Sequence, residues 1–269
     1  MIFEYQNKSV YYEIHGQGEP ILILNGIMMS TKSWQEFVDP FSAQHQLILV
    51  DFLDQGQSSK VFEAYTHHLQ VDMIIAFLEY LAIGPVNLYG VSYGGEIAIQ
   101  TVLKAPHLIK KLILFNTCGE TTYWLEEVGN AWNAASHDGL AYYLTTIPFI
   151  YSPKFFVEKA EWMARRKEIL IPIFSNPEFI ESMIRLTNSS VGYQVMDRLA
   201  EIEVPTLIAG CQYDFVTPFY QQEQLHQGIK NSQIVYVPDS GHALMYEKPS
   251  LFVSLVLGFV GNIKQNFVL

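Results

Sequence analysis

Short, unbroken runs of apolar residues recur along this chain and restrict its fold more than any other feature. A strand with one solvated face alternates apolar and polar residues, whereas a strand covered on both faces is apolar throughout. The runs therefore predict a parallel sheet with helices on both faces. They occupy residues 21–24, 47–50, 86–89, 112–115, 207–209 and 234–237.

Helical segments lie between these runs, and one of them shows the pattern clearly. Its apolar residues recur at helical spacing on one face, and Gly84-Pro85 then ends it. Strands that alternate with helices predict a doubly wound α/β fold. The start of the chain differs, because residues 2–6 and 10–14 predict an antiparallel pair with a turn near Asn7.

The alternation stops between residues 119 and 204, where no clear strand is found. Ser152-Pro153 and Asn176-Pro177 each place a capping residue before a proline, as helix starts do. We therefore expect an all-helical cap at residues 119–204, inserted into a core domain made of residues 1–118 and 205–269.

The predicted cap is dense in aromatic residues, and most of them are expected to pack its helices together. Ligands of open parallel sheets bind at the carboxyl ends of the strands. A cap at that edge would place some rings in an apolar pocket, and we take Trp124 and Trp132 as candidates.

Charge and composition narrow the classes of function. The formal net charge of −11 argues against nucleic acid or an anionic membrane as the main partner. The most apolar stretch, residues 251–260, is too short to span a bilayer and reads as a buried helix. Two cysteines make no disulfide framework. The histidines lack metal-ligand spacing, and the His67-His68 pair reads as an exposed helix start. We expect a cytoplasmic protein without metal or cofactor.

The motif Gly90-Val91-Ser92-Tyr93-Gly94-Gly95 follows one apolar run and precedes a predicted helix. A strand, a sharp turn with serine at its apex and a helix form the context of a nucleophile elbow. Gly90 and Gly94 keep side chains from colliding in so tight a turn. The helix N-terminus offers N–H groups and partial positive charge to an oxyanion.

A serine hydroxyl is a weak nucleophile, so it needs a base that is oriented by an acid. Asp214 follows the apolar strand at residues 207–209, and His242 follows the last strand. Both are therefore expected at the sheet edge that carries Ser92. Their order along the chain, serine then acid then histidine, is typical of one architecture.

With these motifs, the sequence resembles the α/β-hydrolases over essentially its whole length. The resemblance implies an eight-stranded, mostly parallel sheet flanked by helices, an inserted helical cap and a triad of Ser92, Asp214 and His242. Five motifs carry it in order: Leu24-Asn25-Gly26, residues 51–58, the elbow, Val204-Pro205-Thr206 with Gly210 and Asp214, and Gly241-His242.

The resemblance also implies an oxyanion hole formed by the backbone N–H groups of Tyr93 and Ile27, with Met28 as second choice for the latter. The family commonly has His-Gly in that loop, where this chain has Asn25-Gly26. Some relatives carry the acid after the sixth strand, but Asn116 occupies that position, which favours Asp214. Asp51, Asp54 and Asp239 are interpreted as acids outside the triad.

Relatives that open epoxides or displace halide carry Asp at the elbow, so Ser92 favours acyl chemistry. We expect hydrolysis of carboxylic esters, thioesters or lactones with an apolar acyl or aryl group, with Met28, Trp124, Trp132 and Leu244 contacting the substrate. No arginine lies near the triad motifs to bind a carboxylate. Residues 165–167, Arg-Arg-Lys, read as a solvated helix face or as a docking site for an acyl-carrier protein.

Other functions remain open on this scaffold, because fold does not determine function. Within enzymes, they are carbon–carbon bond hydrolysis, haloperoxidase-like activity and hydroxynitrile lyase chemistry. From a different class, a ligand receptor with little turnover is the alternative. The number of turnovers separates the receptor from the enzymes.

Overall fold

The sheet contains the strands that the apolar runs predict. The computed structural model of the protein describes residues 1–261. The eight strands form one sheet in the spatial order 1-2-4-3-5-6-7-8. The predicted pair 1–2 is antiparallel, the pair 2–4 is antiparallel as well, and the other pairs are parallel, which confirms the mostly parallel sheet. The strands are β1 (Ile2–Tyr5), β2 (Lys8–His15), β3 (Glu19–Leu24), β4 (His45–Val50), β5 (Val86–Val91), β6 (Ile109–Phe115), β7 (Thr206–Tyr213) and β8 (Ser232–Gly241).

Helices cover both faces of this sheet and form the cap. Short 3₁₀ helices span Thr31–Phe37, Pro106–Leu108 and Met196–Glu201. The core helices are α1 (Val38–Ser42), α2 (His67–Leu81), α3 (Tyr93–Lys104), α9 (Phe219–Gly228), α10 (Leu244–Glu247) and α11 (Pro249–Val260). The helices between β6 and β7 are α4 (Tyr123–Ala135), α5 (Gly139–Ile150), α6 (Pro153–Glu158), α7 (Ala160–Phe174) and α8 (Pro177–Ser189).

The terminal helix α11 is buried along one face only. Phe252 is fully buried, and its ring lies 5.5 Å from that of Tyr89 and 6.0 Å from that of Trp34. Leu251, next to it, is 37% exposed. The all-apolar appearance of this stretch therefore reflects a core-facing stripe and not burial on every side. Within residues 1–261, no helix combines the length and the apolar character that crossing a membrane requires.

The cap helices begin where their capping residues predict. Ser152 Oγ accepts the N–H of Phe155 at the start of α6. Asn176 Oδ1 accepts the N–H of Glu178 at the start of α8. The one isolated strand-like contact in this stretch joins Glu120 to Gln194 at its two ends. The domain boundaries at 118/119 and 204/205 stay a prediction.

The prediction of an exposed helix start at residues 67 and 68 is wrong for His67. The residue is 3% exposed, and Nε2 lies 3.0 Å from Ser190 Oγ while Nδ1 lies 3.0 Å from Gln100 Nε2. The start of α2 packs against α3 and against the chain after α8, which no local pattern reveals. Cys118 and Cys211 are both buried free thiols.

Candidate active site

Ser92 occupies a strained turn between β5 and α3. Its φ of 54° and ψ of −125° lie outside the region that a residue with a side chain prefers. A Cβ atom at Gly90 would collide with the carbonyl oxygen of Gly94, and one at Gly94 would collide with that of Leu24. Thr117 Oγ1 donates to Ser92 O at 2.8 Å. The flanking glycines therefore allow the backbone approach that holds Ser92 at the apex.

Asp214 and His242 come together because their strands are neighbours. β7 and β8 pair in parallel, with Tyr213 opposite Gly241, so the next residue of each strand enters the same edge. Asp214 Oδ2 lies 2.8 Å from His242 Nδ1. An ionised carboxylate can only accept a hydrogen bond, so Nδ1 of the neutral ring carries the proton and Nε2 is left as a base.

The carboxylate of Asp214 is fully enclosed and receives several donors. Asn116 Nδ2 donates at 2.8 Å and Thr217 Oγ1 at 2.9 Å, both to Oδ2. The backbone N–H groups of Val216 and Thr217 donate to Oδ1. Burial opposes the charged form, but the facing His242 and these hydrogen bonds outweigh it and hold the pKa of Asp214 below its usual range.

The loop that carries His242 is fastened to the cap. Glu247 Oε1 accepts the N–H of Gly241 at 3.0 Å and that of Ser152 at 2.8 Å. The N–H of Ala243 donates to Ile150 O at 3.1 Å. The position of the histidine is therefore coupled to the end of α5 and the start of α6.

Two cavities meet at Ser92. One of about 90 Å³ is lined by Ser92 and His242, and one of about 260 Å³ by Ser92, Tyr93 and Glu96. An outer cleft of about 800 Å³ lies beyond the smaller cavity and shares part of its wall. Within residues 1–261, Ser92 Oγ makes no hydrogen bond, and Ser92 and His242 line the smaller cavity together.

The loop after β3 passes directly beside the serine. A Cβ atom added to Gly26 would lie 3.7 Å from Ser92 Cβ. The N–H groups of Ile27 and Tyr93 donate to no group of residues 1–261, and both residues line the larger cavity. Two unpaired N–H groups beside the serine have the character that an oxyanion hole requires.

A buried network holds this loop through the side chains of Asn25 and Gln55. Asn25 Oδ1 accepts the indole N–H of Trp34 at 2.7 Å, and Asn25 Nδ2 donates to Val50 O at 2.8 Å. Gln55 Nε2 donates to Gly26 O at 2.9 Å and to Ile27 O at 3.2 Å. Asn25 thus links the loop to the end of β4 and to Trp34, while Gln55 binds the carbonyl groups of the loop itself.

Comparison with known proteins agrees with this arrangement. The family model described as alpha/beta hydrolase fold matches residues 19–170, which is more than half of the 269 residues. The chain belongs to the α/β-hydrolase family. Its fold, an eight-stranded, mostly parallel sheet flanked by helices, is that of the family.

Several relatives of this α/β-hydrolase match over nearly the full chain. MGS-M2, an α/β-hydrolase enzyme from a Medee basin deep-sea metagenome library, is 45% identical over all of both chains, with a TM-score of 0.96. Est816, described as an N-acyl homoserine lactone degrading enzyme, is 25% identical with a TM-score of 0.84, covering 96% of this chain and 100% of its own. A putative carbamate hydrolase RutD of Azorhizobium caulinodans is 27% identical over 96% of this chain and 97% of its own.

The residues expected to contact substrate in this α/β-hydrolase divide into two pairs. Met28 lines the smaller cavity, and Trp132 lines both cavities at Ser92. Trp124 lies elsewhere: it is 45% exposed and its indole donates to Phe215 O at 2.8 Å. Leu244 is buried and does not line these cavities, since its neighbours Ala243 and Met245 face the smaller one. Two of the four expected contacts therefore do not reach the cavities.

The acids interpreted as lying outside the triad have other partners in this α/β-hydrolase. Asp51 accepts the N–H groups of Thr31 and Gln57. Asp54 binds the guanidinium of Arg185 on α8, with Nη2 2.7 Å from Oδ1 and Nε 3.1 Å from Oδ2. Asp239 pairs with Lys154 at 3.0 Å on the surface. These contacts leave Asp214 as the acid that faces His242.

A second polar cluster beside Ser92 is missed by the sequence analysis. Glu96 is 4% exposed, lines the larger cavity, and lies 3.3 Å from His67 Nε2 and 3.3 Å from Ser190 Oγ. Burial raises the pKa of Glu96 to about 7 and lowers the pKa of His67 to about 3. The only sequence signal was a glutamate in the first turn of the helix that follows the elbow.

The statement that no arginine lies near the triad holds along the chain but is wrong in space. Arg166 of α7 lines the smaller cavity together with Ser92 and His242. Residues 165–167 therefore do not form one exposed basic face, because the middle residue turns inward while Arg165 stays exposed.

Proposed function

We propose that this α/β-hydrolase cleaves carboxylic esters, including lactones and thioesters, through an acyl-enzyme formed on Ser92. The contact between His242 Nδ1 and Asp214 Oδ2, at 2.8 Å, carries the proposal. With the proton on Nδ1, Nε2 of His242 is unprotonated, as a general base for a serine nucleophile must be. His242 and Ser92 line the same cavity.

The chemistry proceeds in two halves. Ser92 Oγ attacks the carbonyl carbon while His242 Nε2 takes the hydroxyl proton. The oxyanion that forms accepts hydrogen bonds from the backbone N–H groups of Tyr93 and Ile27. The tetrahedral intermediate then expels the alcohol or thiol, which receives the proton from His242. Water, deprotonated by His242, attacks the acyl-enzyme and releases the acid with Ser92 restored. Asp214 orients the ring and stabilises its charged form.

The walls of the smaller cavity favour an apolar acyl or aryl group. Apart from Ser92, Ser33, His242 and Arg166, its lining consists of glycine and of apolar or aromatic side chains, among them Met28, Trp132, Ile147, Phe174 and Met245. The names of relatives support ester-like substrates without fixing one, since Est816 is described as degrading a lactone and the RutD relative as a putative carbamate hydrolase.

Hydrolysis of p-nitrophenyl esters from acetyl to dodecanoyl tests the proposal. We expect many turnovers by the wild-type protein and a loss of about 10⁴-fold or more in Ser92→Ala, as for other serine triads. Ser254→Ala, which removes an exposed hydroxyl of α11, serves as the matched control and should retain wild-type rates. Equal turnover in Ser92→Ala, or no turnover of any ester by folded wild-type protein, would overturn the proposal.

A further inference from the structure

Arg166 is held in a cage of aromatic rings. Its guanidinium carbon lies 5.0 Å from the ring centre of Tyr246, 5.1 Å from that of Trp162 and 6.0 Å from that of Tyr151. Such distances give cation–π attraction and fix the plane of the group. Burial raises the pKa of Tyr246, and the charge of Arg166 opposes that rise. The side chain is thus positioned by three rings from two parts of the cap and from the segment after His242.

No acid of the described residues 1–261 neutralises this guanidinium. Its Nε is buried and has no hydrogen-bond partner, and no carboxylate lies within 4.0 Å of its nitrogens. Arg165 beside it stays exposed and lies 3.9 Å from Glu161, and Arg185 binds Asp54 at 2.7 Å. A cation with a buried, unpaired donor is unfavourable by itself. It suits a site that an anion completes.

Arg166 also stands where a substrate would pass. It lines the smaller cavity with Ser92 and His242, and it lines the outer cleft as well. Two acids of the cleft have partners of their own, since Asp54 is bound by Arg185 and Asp51 accepts backbone N–H groups. Glu36 and Glu178 also line the cleft, and neither carboxylate lies within 4.0 Å of a guanidinium nitrogen of Arg166. The free charge at this junction therefore faces the route to the serine.

We propose that the substrate is an ester that carries a carboxylate, and that Arg166 binds this carboxylate while Ser92 attacks the ester carbonyl. This inference rests on the ester hydrolysis proposed above. A guanidinium presents two parallel N–H groups that match the two oxygens of a carboxylate, and pairing in a site lined by rings is stronger than in water. The apolar walls between Arg166 and Ser92 bind the short chain that joins the two groups.

Matched pairs of substrates test the inference. Each pair compares an acid with its uncharged carboxamide: monomethyl succinate, glutarate and adipate place the carboxylate in the acyl part, and 4-acetoxybutanoate places it in the alcohol part. The measured quantity is the ratio of kcat/KM for the acid to that for the carboxamide. We expect at least one pair to give a ratio above about 10, since hydrogen bonds to charged groups are the strong ones. Ratios near one for every pair would overturn the inference.

Variants connect the preference to the residue. Arg166→Met should lower the ratio about 10- to 100-fold. Arg166→Lys keeps the charge but lacks the two parallel N–H groups of the guanidinium, so it should give an intermediate ratio. Arg198→Met removes the same charge from an exposed residue that lines neither the cavities at Ser92 nor the outer cleft, and it should keep the wild-type ratio. An unchanged ratio in Arg166→Met would overturn the inference. If that variant does not fold, the ratios of wild type and Arg166→Lys decide.

The same experiments separate this inference from the proposed function. Turnover of p-nitrophenyl esters without any preference for acids would remove the carboxylate site alone. If no ester is hydrolysed, calorimetric titration with glutarate and with its uncharged diamide, glutaramide, decides. Binding of glutarate that is lost in Arg166→Met would keep the anion site while the proposed function falls, and absence of glutarate binding would overturn both.

Discussion

Asn116, at the end of β6, donates a hydrogen bond of 2.8 Å to Asp214 Oδ2, the oxygen that also faces His242 Nδ1. The carboxyl ends of two neighbouring strands therefore converge on one side of the histidine. Asn116 has a φ of 49°, in the left-handed region, which turns its side chain back toward the end of β7. The residue after β6, Asn116, therefore lies in direct contact with the acid, Asp214.

We expect a carboxylate to be movable from Asp214 to Asn116. Asp214→Asn should lower kcat by about 10⁴-fold, because an amide can hold the wrong tautomer of the ring. Adding Asn116→Asp should restore at least about tenfold, since the new carboxylate lies beside the same ring. Initial rates with a p-nitrophenyl ester measure both. Asn116→Asp alone is the control: it sets two carboxylates side by side and should reduce activity. A double variant no faster than Asp214→Asn would show that the strand end after β6 cannot serve the histidine.

Gln55 is expected to act as a positioning residue for the oxyanion loop. Gln55→Leu removes the donor to Gly26 O and Ile27 O and should lower kcat about 10- to 100-fold with a small effect on KM, because a loosened N–H serves the transition state and not the ground state. Gln57→Leu changes the same residue type at an exposed position nearby and should stay within about twofold. A rise in KM with unchanged kcat in Gln55→Leu would contradict a positioning role. Steady-state kinetics provide both quantities.

The ion pair between Asp54 and Arg185 is expected to stabilise the contact of cap and core. The Asp54 side chain is fully buried and that of Arg185 is 15% exposed. Arg185→Met leaves a buried carboxylate without its cation and should lower the free energy of unfolding by about 3–5 kcal/mol. Arg198→Met breaks an exposed pair with Glu201 and should leave the free energy of unfolding almost unchanged. Urea unfolding measures both, and equal losses would show that burial of the first pair is unimportant.

Glu96 is expected to make stability depend on pH. Burial raises its pKa to about 7 from 4.5. Between these values the unfolded chain loses the proton while the native state keeps it, so the contribution of Glu96 to native stability falls as pH rises and is lost above pH 7. His67 acts in the opposite direction, because burial lowers its pKa from 6.5 to about 3 and its contribution to stability therefore rises with pH up to about 6.5. Comparing wild type with a variant of Glu96 alone cancels the contribution of His67.

Glu96→Gln carries no such charge and tests this directly. The Tm of the variant minus that of wild type should increase from pH 4.5 to 7 and then level off. By pH 8 the free energy of unfolding of the variant should have gained on the order of 3 kcal/mol relative to that of wild type. Thermal unfolding followed across this range gives the difference. A difference that falls as pH rises would mean that Glu96 is charged and held by His67.

The sequence reached much of the fold because the relevant signals are local. Unbroken apolar runs mark strands covered on both faces, and a capping residue before proline marks the start of α6 and of α8. The motif around Ser92 predicted its turn, since glycines are needed wherever backbones approach closely. For Asp214 and His242, position after a strand was enough to predict one shared edge, because parallel strands end together.

The direction of each side chain decided which residues line the cavities at Ser92, and the sequence did not reveal that direction. Trp124 and Trp132 both lie on α4, yet only the second lines the cavities at Ser92, because their place around the helix axis and the packing of the cap differ. His67 and Gln55 were unremarkable in sequence, and each gained its role from a partner more than 25 residues away.

By itself, the sequence determined which functional residues follow the strands and in what order along the chain. A serine at an elbow comes first, then an acid, then a histidine, each after a strand of a sheet covered on both faces. Only the tertiary structure decided what surrounds them. Arg166 belongs to a basic run that reads as solvated, and it became a wall of the cavity because rings from separate segments, Tyr151, Trp162 and Tyr246, close around its charge. Local propensity places residues on elements, whereas the packing of distant segments determines which side chains face the serine.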